Sequence, residues 1–236
     1  MKFKKYIPTI LFCIMGITGL CVLCYPLVCR YLAEQEQKKR IEEYREMVDG
    51  LEEEKCRELL DKAARYNERL WEKNINFENI DSFKGDLEKE GLVYEKLLRV
   101  KEDAPMGYLV IDKLDVSLTI GYGTSEDSLQ KGIAHLEGSS LPIGGKNTHS
   151  ALFGHRGVAT SKLLSDLDQM EVGDTFEIHV LNQVLKYEVD QIVVVTPEEV
   201  DELRIEEGKD YVTLVTCTPY AVNTHRLLVR GARVYE

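Results

Sequence analysis

Short runs of β-branched and aromatic residues fill the C-terminal half of the chain, and they constrain the fold more than any other feature. Several alternate apolar and polar residues with period two, which is typical of strands with one buried face. Gly, Pro, Asp and Asn separate the runs, as turns require. The predicted strands are GYLVI (107–111), VSLTI (116–120), SALFG (150–154), TFEIHVL (175–181), LKYEVDQIVVV (185–195), YVTLVTC (211–217) and LLVRGARVY (227–235). With two brief helical pieces, near 126–134 and 160–170, they predict a single mostly antiparallel sandwich or barrel.

A helical pattern precedes these strands. Residues 31 to about 72 contain no proline and one glycine, Gly50, and apolar residues recur there at helical spacing. Most of the remaining positions are charged. The pattern predicts either a solvated stalk or a helix that packs by one face on the globular domain, and we assign it no chemistry.

The N-terminus contains an uncharged stretch from Tyr6 to Cys29. As a helix it would be about 36 Å long, which is enough to cross a bilayer. Lysines precede it, so the positive-inside rule places the N-terminus in the cytoplasm and everything after Arg30 outside. We favour an uncleaved anchor over a cleaved signal peptide, because residues 24–27 (CYPL) offer no obvious small-x-small cleavage site.

Charge and cysteine usage narrow the range of functions. The chain has 41 Asp and Glu against 30 Lys and Arg, and the first 30 positions contain no acid. The rest is therefore strongly acidic, which argues against nucleic acid as a partner, because binding phosphates depends on clustered Lys and Arg. Of six cysteines, only Cys56 and Cys217 lie outside the apolar span, so a disulfide framework is not expected. An unpaired thiol in an exported domain is more often a functional one.

The segment TLVTCTPYAVNTHRLLVRG (213–231) places Cys217 at the end of one predicted strand and Arg226 at the start of the next. If the two strands pair as a hairpin, the thiol and the guanidinium lie at the same rim. A thiol beside a fixed cation is a candidate nucleophile, because the cation favours thiolate and can stabilise charge on a substrate carbonyl oxygen. A buried structural cysteine and a solvated arginine are the alternative.

A nucleophilic cysteine needs an acid–base partner, and the chain has five histidines. His179, inside TFEIHVL, is expected to pack across strands, whereas His135 and His149 flank a Gly-rich loop and are expected to face solvent. His155 follows SALFG at a strand end, which would hold its imidazole on a turn at the barrel rim. A zinc site formed by these histidines and Cys217 is not expected, because no pair has the short spacing of typical zinc ligands.

These motifs resemble those of the sortases. TLVTC followed by TPYAVNTHRLLVRG, with LFGHRG about sixty residues upstream, is similar to the family's motifs. HLEGSSLPIGG and EEGKDYVTLVTCTPY resemble its pilin-polymerising class C branch. The resemblance covers about residues 75–236 and implies a mostly β fold, a sortase-type antiparallel β-barrel with short helices. The implied organisation is a cytoplasmic tail and transmembrane anchor (1–30), an extracytoplasmic helical segment (31–74), a lid-bearing segment (75–104) and a catalytic barrel (105–236).

By resemblance, the protein is a cysteine transpeptidase that cleaves a Leu-Pro-x-Thr-Gly-like sorting signal after Thr, forms a thioester and passes the acyl group to an amine. Cys217 is then the nucleophile and His155 the acid–base that protonates the departing amine. Arg226 would orient the substrate or stabilise the oxyanion, and the backbone of Thr216 would help to shape the oxyanion site. No metal or organic cofactor is implied.

The class C branch also carries a lid, usually an Asp-Pro-aromatic triplet, over the active site. Asp81, Ser82 and Phe83 occupy the corresponding positions. By resemblance Asp81 would pair with Arg226 and Phe83 would cover Cys217, whereas a surface loop with Asp81 as a helix N-cap is the alternative. Because Ser82 replaces a proline with its fixed φ, we expect this lid to open more easily than a proline-bearing one.

Partners and topology follow from the same resemblance. The substrates would be pilin subunits or surface proteins with LPxTG-like signals, and the acceptor amine a pilin lysine or a peptidoglycan precursor. The expected location is the cell membrane, with one spanning helix and the catalytic domain outside. Class C members commonly have a second apolar span, yet the chain ends at Glu236, so a wall-anchoring sortase is the nearest alternative. A non-catalytic binding barrel is less favoured, because all three catalytic positions are filled.

Overall fold

The computed structural model describes residues 7–157, 163–220 and 222–235. Within them, strands close into a barrel in the order β1-β2-β3-β4-β7-β8-β6-β5. The strands are β1 (Gly107–Ile111), β2 (Val116–Tyr122), β3 (Ile133–His135), β4 (Thr148–Phe153), β5 (Thr175–Val180), β6 (Gln183–Val195), β7 (Asp210–Thr218) and β8 (His225–Arg233). The predicted mostly β barrel is confirmed. Only β3 among these strands was missed, since three residues are too short to show a period.

The barrel combines antiparallel and parallel pairing. Most neighbours are antiparallel, but β2 pairs with β3 and β4 pairs with β7 in parallel. Parallel strands need a long crossover, and β5 and β6, which lie between β4 and β7 in sequence, pair elsewhere in the barrel. Because β4 and β7 run parallel, their C-terminal ends lie at the same rim of the barrel.

Apolar side chains cover both faces of the sheet near that rim. Leu152, Leu214 and Val229 are fully buried in the main core inside the barrel. Their sequence neighbours form a separate apolar cluster, which we call the outer cluster; its buried members are Ala151, Leu203, Val215 and Leu228. Because side chains alternate along a strand, this cluster lies on the outer face of β4, β7 and β8.

Four helices accompany the barrel in the described residues: α1 (Ile7–Asp49), α2 (Glu53–Glu72), α3 (Lys84–Lys89) and α4 (Glu126–Gln130). The segment predicted to be helical over 31–72 is thus two helices, separated by residues 50–52. Ile41 and Tyr44 of α1 and Leu59 and Leu70 of α2 are buried in the main core. The interpretation as a helical segment that packs by one face on the globular domain is therefore correct, and that of a solvated stalk is wrong.

Buried polar contacts fix this helical layer to the barrel. The Tyr44 hydroxyl donates to the Met106 carbonyl (3.1 Å) and accepts from the amide of Leu181 (2.8 Å). The Asn67 side chain pairs with the backbone of Leu141 in both directions, at 3.1 and 2.7 Å. A buried amide that satisfies a buried peptide group in this way is costly to remove, because its loss leaves unpaired polar atoms.

The N-terminal part of α1 does not pack on the barrel. It contains a stretch long and apolar enough to cross a membrane, and none of that stretch is buried against the rest of the protein. The helix continues without interruption into the part that contacts β2. The lysines on which the predicted orientation depends lie outside the described residues.

His135 and His149 are not solvent-facing as predicted; both are fully buried. The Nε2 atom of His135 donates to the Ser140 carbonyl (2.8 Å), and its Nδ1 lies 3.0 Å from the Tyr94 hydroxyl. His149 likewise lies between the Arg204 carbonyl and a Thr hydroxyl, at 2.8 and 2.7 Å. The flanking glycines suggested an exposed loop, but the imidazoles are held inside by partners distant in sequence.

Burial lowers the pKa of both His135 and His149 from 6.5 to about 4. Since the unfolded chain then binds more protons, this contribution to stability is complete above pH 6.5 and is lost as the pH falls towards 4. Between pH 7 and pH 5 we expect a loss of roughly 2 kcal/mol for each histidine. Urea unfolding of the full chain in detergent at the two pH values measures the loss. It should be smaller in His149→Gln and unchanged in the exposed control His225→Gln, and an unaltered loss in His149→Gln would contradict the assignment.

Candidate active site

The β7–β8 hairpin places Cys217 directly opposite Arg226. Both side chains are partly exposed, and they share the outer face with Val215 and Leu228. A guanidinium nitrogen of Arg226 donates to the carbonyls of Asn223 (3.2 Å) and His225 (3.1 Å), so the loop before β8 holds the cation at the rim. The hairpin predicted from strand alternation is confirmed.

The parallel pairing of β4 with β7 brings His155 to the same rim. Phe153, the last residue of β4, pairs with Val215. Beyond it the Gly154 amide donates to the Val215 carbonyl (3.0 Å), and the buried Thr216 hydroxyl donates to the Gly154 carbonyl (2.7 Å). Continued by two residues, this register would place His155 next to Cys217. Strand β8, strand β7 and the turn after β4 therefore carry, in that order, a guanidinium, a thiol and an imidazole.

Sequence reasoning missed a carboxylate next to the imidazole. The Nε2 atom of His155 lies 3.4 Å from Oε1 of Glu126, in the first turn of α4. That nitrogen is shielded from solvent and has no hydrogen-bond partner among the described residues. The Glu126 side chain itself is 68% exposed, so it remains free to meet a ligand. An acidic residue at the start of the predicted helical piece near 126–134 was the only available signal.

Arg156 connects the segment after β4 with the end of β7. Its guanidinium is only 7% exposed, and it donates to the Ser165 carbonyl (3.2 Å) and the Thr218 hydroxyl (3.1 Å). It also pairs with the carboxylate of Asp168. Arg156 directly follows His155, and Thr218 directly follows Cys217. The contacts of the Arg156 guanidinium, which we call the Arg156 clasp, therefore hold the two chain segments together. The HRG motif contained this residue, but nothing in the sequence indicated its partners.

The expected lid contacts are not those observed. Asp81 forms an ion pair with Lys84 (3.0 Å) and is 90% exposed, and no ion pair joins it to Arg226 in the described part of the chain. Phe83 packs against the main core instead of the outer cluster that adjoins Cys217. Lys84 is only three residues from Asp81 in sequence, so this ion pair is a local one. A regulatory role for Asp81 and Phe83 stays a prediction.

Phe77, six residues earlier, packs against the outer cluster. The segment that carries it passes close to the barrel, since a Cβ on Gly138 would lie 2.6 Å from the Cα of Phe77. Gly138 has a φ of +87°, so its backbone as well as its lack of a side chain permits this approach. Phe77 of this segment thus packs against the outer cluster, whereas Phe83, which was predicted to cover Cys217, packs against the main core.

Ser82 has a use that a proline could not serve. Its amide donates to the Asn79 carbonyl (3.0 Å) in a short 3-10 turn. Proline lacks that donor. The expectation of an easily opened lid therefore stays a prediction, and replacing Ser82 by proline would not test rigidity alone.

The remaining histidine outside the site behaves as expected. His179 pairs across strands with Tyr108, and the two rings stack with centroids 4.4 Å apart. Among the described residues no group of three His, Cys, Asp or Glu side chains is arranged to hold a metal ion.

Replacing Arg156 by lysine should disturb both the segment after β4 and the end of β7, because an ammonium cannot make the same directed contacts. We expect a loss of about 1–3 kcal/mol of stability and about tenfold slower reaction of Cys217 with peptide substrate. Thermal unfolding and acylation rates measure the two effects. Arg57→Lys, an exposed site with two surface ion pairs, is the control. Normal acylation by a destabilised Arg156→Lys protein would show that the clasp is structural only.

The two phenylalanines can be compared by thiol labelling. Phe77→Ala should raise the rate at which a bulky maleimide labels Cys217, by about fivefold if covering the thiol is worth about 1 kcal/mol. Phe83→Ala should lower stability through lost core packing and leave the labelling rate unchanged. The reverse pattern would restore the lid assignment predicted from the sequence.

Comparison with known proteins agrees with this geometry. The sortase domain family matches residues 109–234, more than half of the chain. Sortase D of Bacillus subtilis is 27% identical over 131 residues, which cover 54% of this chain and 63% of that protein. The matched segment thus spans less than two thirds of this curated relative.

Solved structures extend the similarity to the helical layer. Sortase C1 of Streptococcus agalactiae is 44% identical with a TM-score of 0.76, covering 84% of this chain and 99% of that chain. Sortase C of Streptococcus pneumoniae is 42% identical (TM-score 0.72; 83% and 96% covered), and its structure is described as informative on pilin substrate specificity. Sortase C of Clostridium perfringens, solved with the C-terminal cell wall sorting motif, is 40% identical (TM-score 0.70; 84% and 100% covered). The chain belongs to the sortase family.

Proposed function

We propose that the protein is a membrane-anchored cysteine transpeptidase that polymerises pilin subunits. The observation that carries the proposal is the placement of Cys217 between Arg226 on β8 and the turn that bears His155 after β4. A nucleophile with an acid–base on one side and a fixed cation on the other is the arrangement that acyl transfer requires.

The proposed reaction has two steps. In the first, the Cys217 thiolate attacks the carbonyl carbon of Thr in an LPxTG-like signal, and Arg226 stabilises the developing oxyanion. The imidazolium of His155 then gives its proton to the departing Gly amine, which leaves a thioester and a neutral imidazole. In the second, an amine attacks the thioester, a new amide bond forms, and the sulfur leaves as thiolate while His155 takes up a proton.

The outer cluster supports an apolar peptide as the first substrate. Ala151, Val215 and Leu228 form a buried apolar floor on the face of the sheet that also carries Cys217, and a peptide would reach it once the side chains packed over it move aside. Such a floor suits the Leu and Pro of a sorting signal, which must lie close to the nucleophile. Phe77 occupies part of this floor, so binding of a signal would displace it. Thr216 ties β7 to the turn that bears His155 through its side chain, and its backbone role at the oxyanion stays a proposal.

The similarity to sortase C structures favours a pilin lysine as the acceptor. The Streptococcus agalactiae relatives include sortase C1 of a pilus island, 35% identical with a TM-score of 0.74. Transfer to a peptidoglycan-precursor amine, which would attach surface proteins to the wall, is the second candidate, since the curated relatives include sortases A and D. A barrel that only binds a peptide would make no use of the arrangement around Cys217.

The apolar, unburied part of α1 supports anchoring in the cell membrane by one spanning helix. The catalytic barrel would then lie outside the membrane, where pilins and wall precursors are found. α1 continues unbroken from the apolar stretch into the part packed on β2. The proposed anchor and the segment that contacts the barrel therefore belong to one helix.

Intact mass spectrometry tests the proposed chemistry. Incubated with LPxTG-type peptides, the full chain in detergent should gain the mass of the peptide up to Thr, and hydroxylamine should release it. Cys217→Ala should gain nothing, and Phe77→Ala should gain the adduct faster because the floor is free. Cys56→Ala, which removes a buried thiol of α2, is the matched control and should react normally. Absence of an adduct with a panel of such peptides in both the parent and Phe77→Ala would contradict the proposal.

The acceptor is identified by offering both amines to the acylated protein. A pilin subunit should yield a covalent subunit pair, whereas a peptidoglycan-precursor peptide should yield little product. Exclusive use of the precursor amine would favour wall anchoring over polymerisation.

A further inference from the structure

A cavity of about 1120 Å³ lies between α1 and the barrel, and His155 and Glu126 form part of its wall. Ala33 and Glu36 of α1 line the opposite side, and Thr119 of β2 also borders it. Cys217 and Arg226 do not line this cavity. His155 thus borders this space, whereas the thiol of Cys217 and the guanidinium of Arg226 do not.

The order of the strands explains why this cavity is separate from the apolar floor beside Cys217. Around the barrel β8 is followed by β7, β4, β3 and β2, with α1 packed on β2. A path around the barrel in this order therefore passes Arg226 first, then Cys217, His155 and Glu126, and reaches the cavity last. The outer cluster extends from β4 towards β8 and β6, because Val193 and Val195 of β6 pack against it. A peptide on the outer cluster thus approaches the thiol from one side, and the cavity opens on the other.

We propose that this cavity admits the acceptor amine and that Glu126 attracts its ammonium group beside His155. The inference rests on the proposed transpeptidase function and adds the path of the second substrate. It requires that the sorting signal stay on the outer cluster as a thioester while the amine enters from α1.

The charges around the cavity suit a cation at the Glu126 end. Its acidic lining residues are Glu36, Glu43, Asp103 and Glu126, and its basic ones are Arg40, Arg99 and Lys131. The guanidinium of Arg40 donates to the Lys131 carbonyl (3.0 Å), and that of Arg99 lies 4.3 Å over the Tyr122 ring. Both guanidinium groups are thus engaged with the cavity wall. Glu126 receives a hydrogen bond from Gln130 (3.2 Å), which orients its carboxylate without neutralising it.

The protons balance if the amine enters here. A lysine ammonium first releases one proton to solvent beside the exposed carboxylate. The free amine then attacks the thioester carbonyl, the carbon–sulfur bond breaks, and the second proton passes to the neutral imidazole of His155. The products are an amide, a Cys217 thiolate and an imidazolium, which is the state needed for the next cycle. His155 lies between the thiol and the cavity, as this transfer requires.

The experiment measures how the thioester divides between aminolysis and hydrolysis. The full chain in detergent is acylated with an LPxTG-type peptide in the presence of Nα-acetyl-lysine methylamide, and the amide and acid products are quantified. Because both products arise from the same thioester, their ratio does not depend on the rate of acylation.

Glu126→Gln should lower the amide-to-acid ratio by about fivefold, as the loss of one exposed charge interaction allows. Ala33→Trp, which fills the cavity from α1, should lower it as well. With hydroxylamine, which is mostly uncharged at neutral pH, Glu126→Gln should leave the ratio unchanged. Asp127→Asn, the neighbouring carboxylate on α4, and Glu177→Gln, which pairs with His179 at 3.1 Å, are the matched controls.

Parent-like ratios in both Glu126→Gln and Ala33→Trp would overturn the inference while leaving the transpeptidase intact. A parent that forms no thioester would overturn the proposed function and the inference together. An equal drop with hydroxylamine and with the lysine derivative in Glu126→Gln would also overturn it, because a role in attracting charge predicts a difference between them.

Discussion

The parallel pairing of β4 with β7 is the constraint on which the site depends. In an antiparallel pair, the ends of the two strands would lie at opposite rims, and His155 could not approach Cys217. Here Phe153 pairs with Val215, and the hydrogen bonds of Gly154 and Thr216 extend the ladder one step beyond the last strand residue. The antiparallel hairpin then adds Arg226 on the far side. The parallel pairing of β7 with β4 and its antiparallel pairing with β8 thus bring the end of β7, the turn after β4 and the start of β8 to one rim.

Holding this rim in register requires more than the ladder. Arg156 joins the segment after β4 to the end of β7, and the backbone amide of Gly157 lies 3.3 Å from the Ser165 hydroxyl. The barrel below is packed on both faces, with the main core inside and the outer cluster outside. Close packing on both sides leaves the strands little freedom to slide, so the side chains at this rim are held by the rigidity of the barrel. The exposed parts of the site are thus supported by buried ones.

Local patterns in the sequence predicted what depends on neighbours along the chain. Strand alternation was enough for the β7–β8 hairpin and for the cross-strand position of His179. It could not reveal the pairing of β4 with β7, because parallel partners are chosen by packing between segments distant in sequence. The same limit applies to His135 and His149, whose burial follows from contacts with Tyr94 and Arg204. The carboxylate of Glu126 became meaningful only when folding placed it beside an imidazole.

The unbroken course of α1 has a geometric consequence for a protein held in a bilayer. Gln37 and Tyr44 fasten one end of the helix to the barrel, at Thr119 and Met106, so the barrel cannot turn independently of it. Each residue of an α-helix adds about 1.5 Å to its length. If the apolar stretch of α1 spans a membrane as proposed, the number of residues between the lipid surface and Gln37 sets how far the rim that bears Cys217 stands from that surface. This part of α1 would then act as a spacer between the membrane and the site.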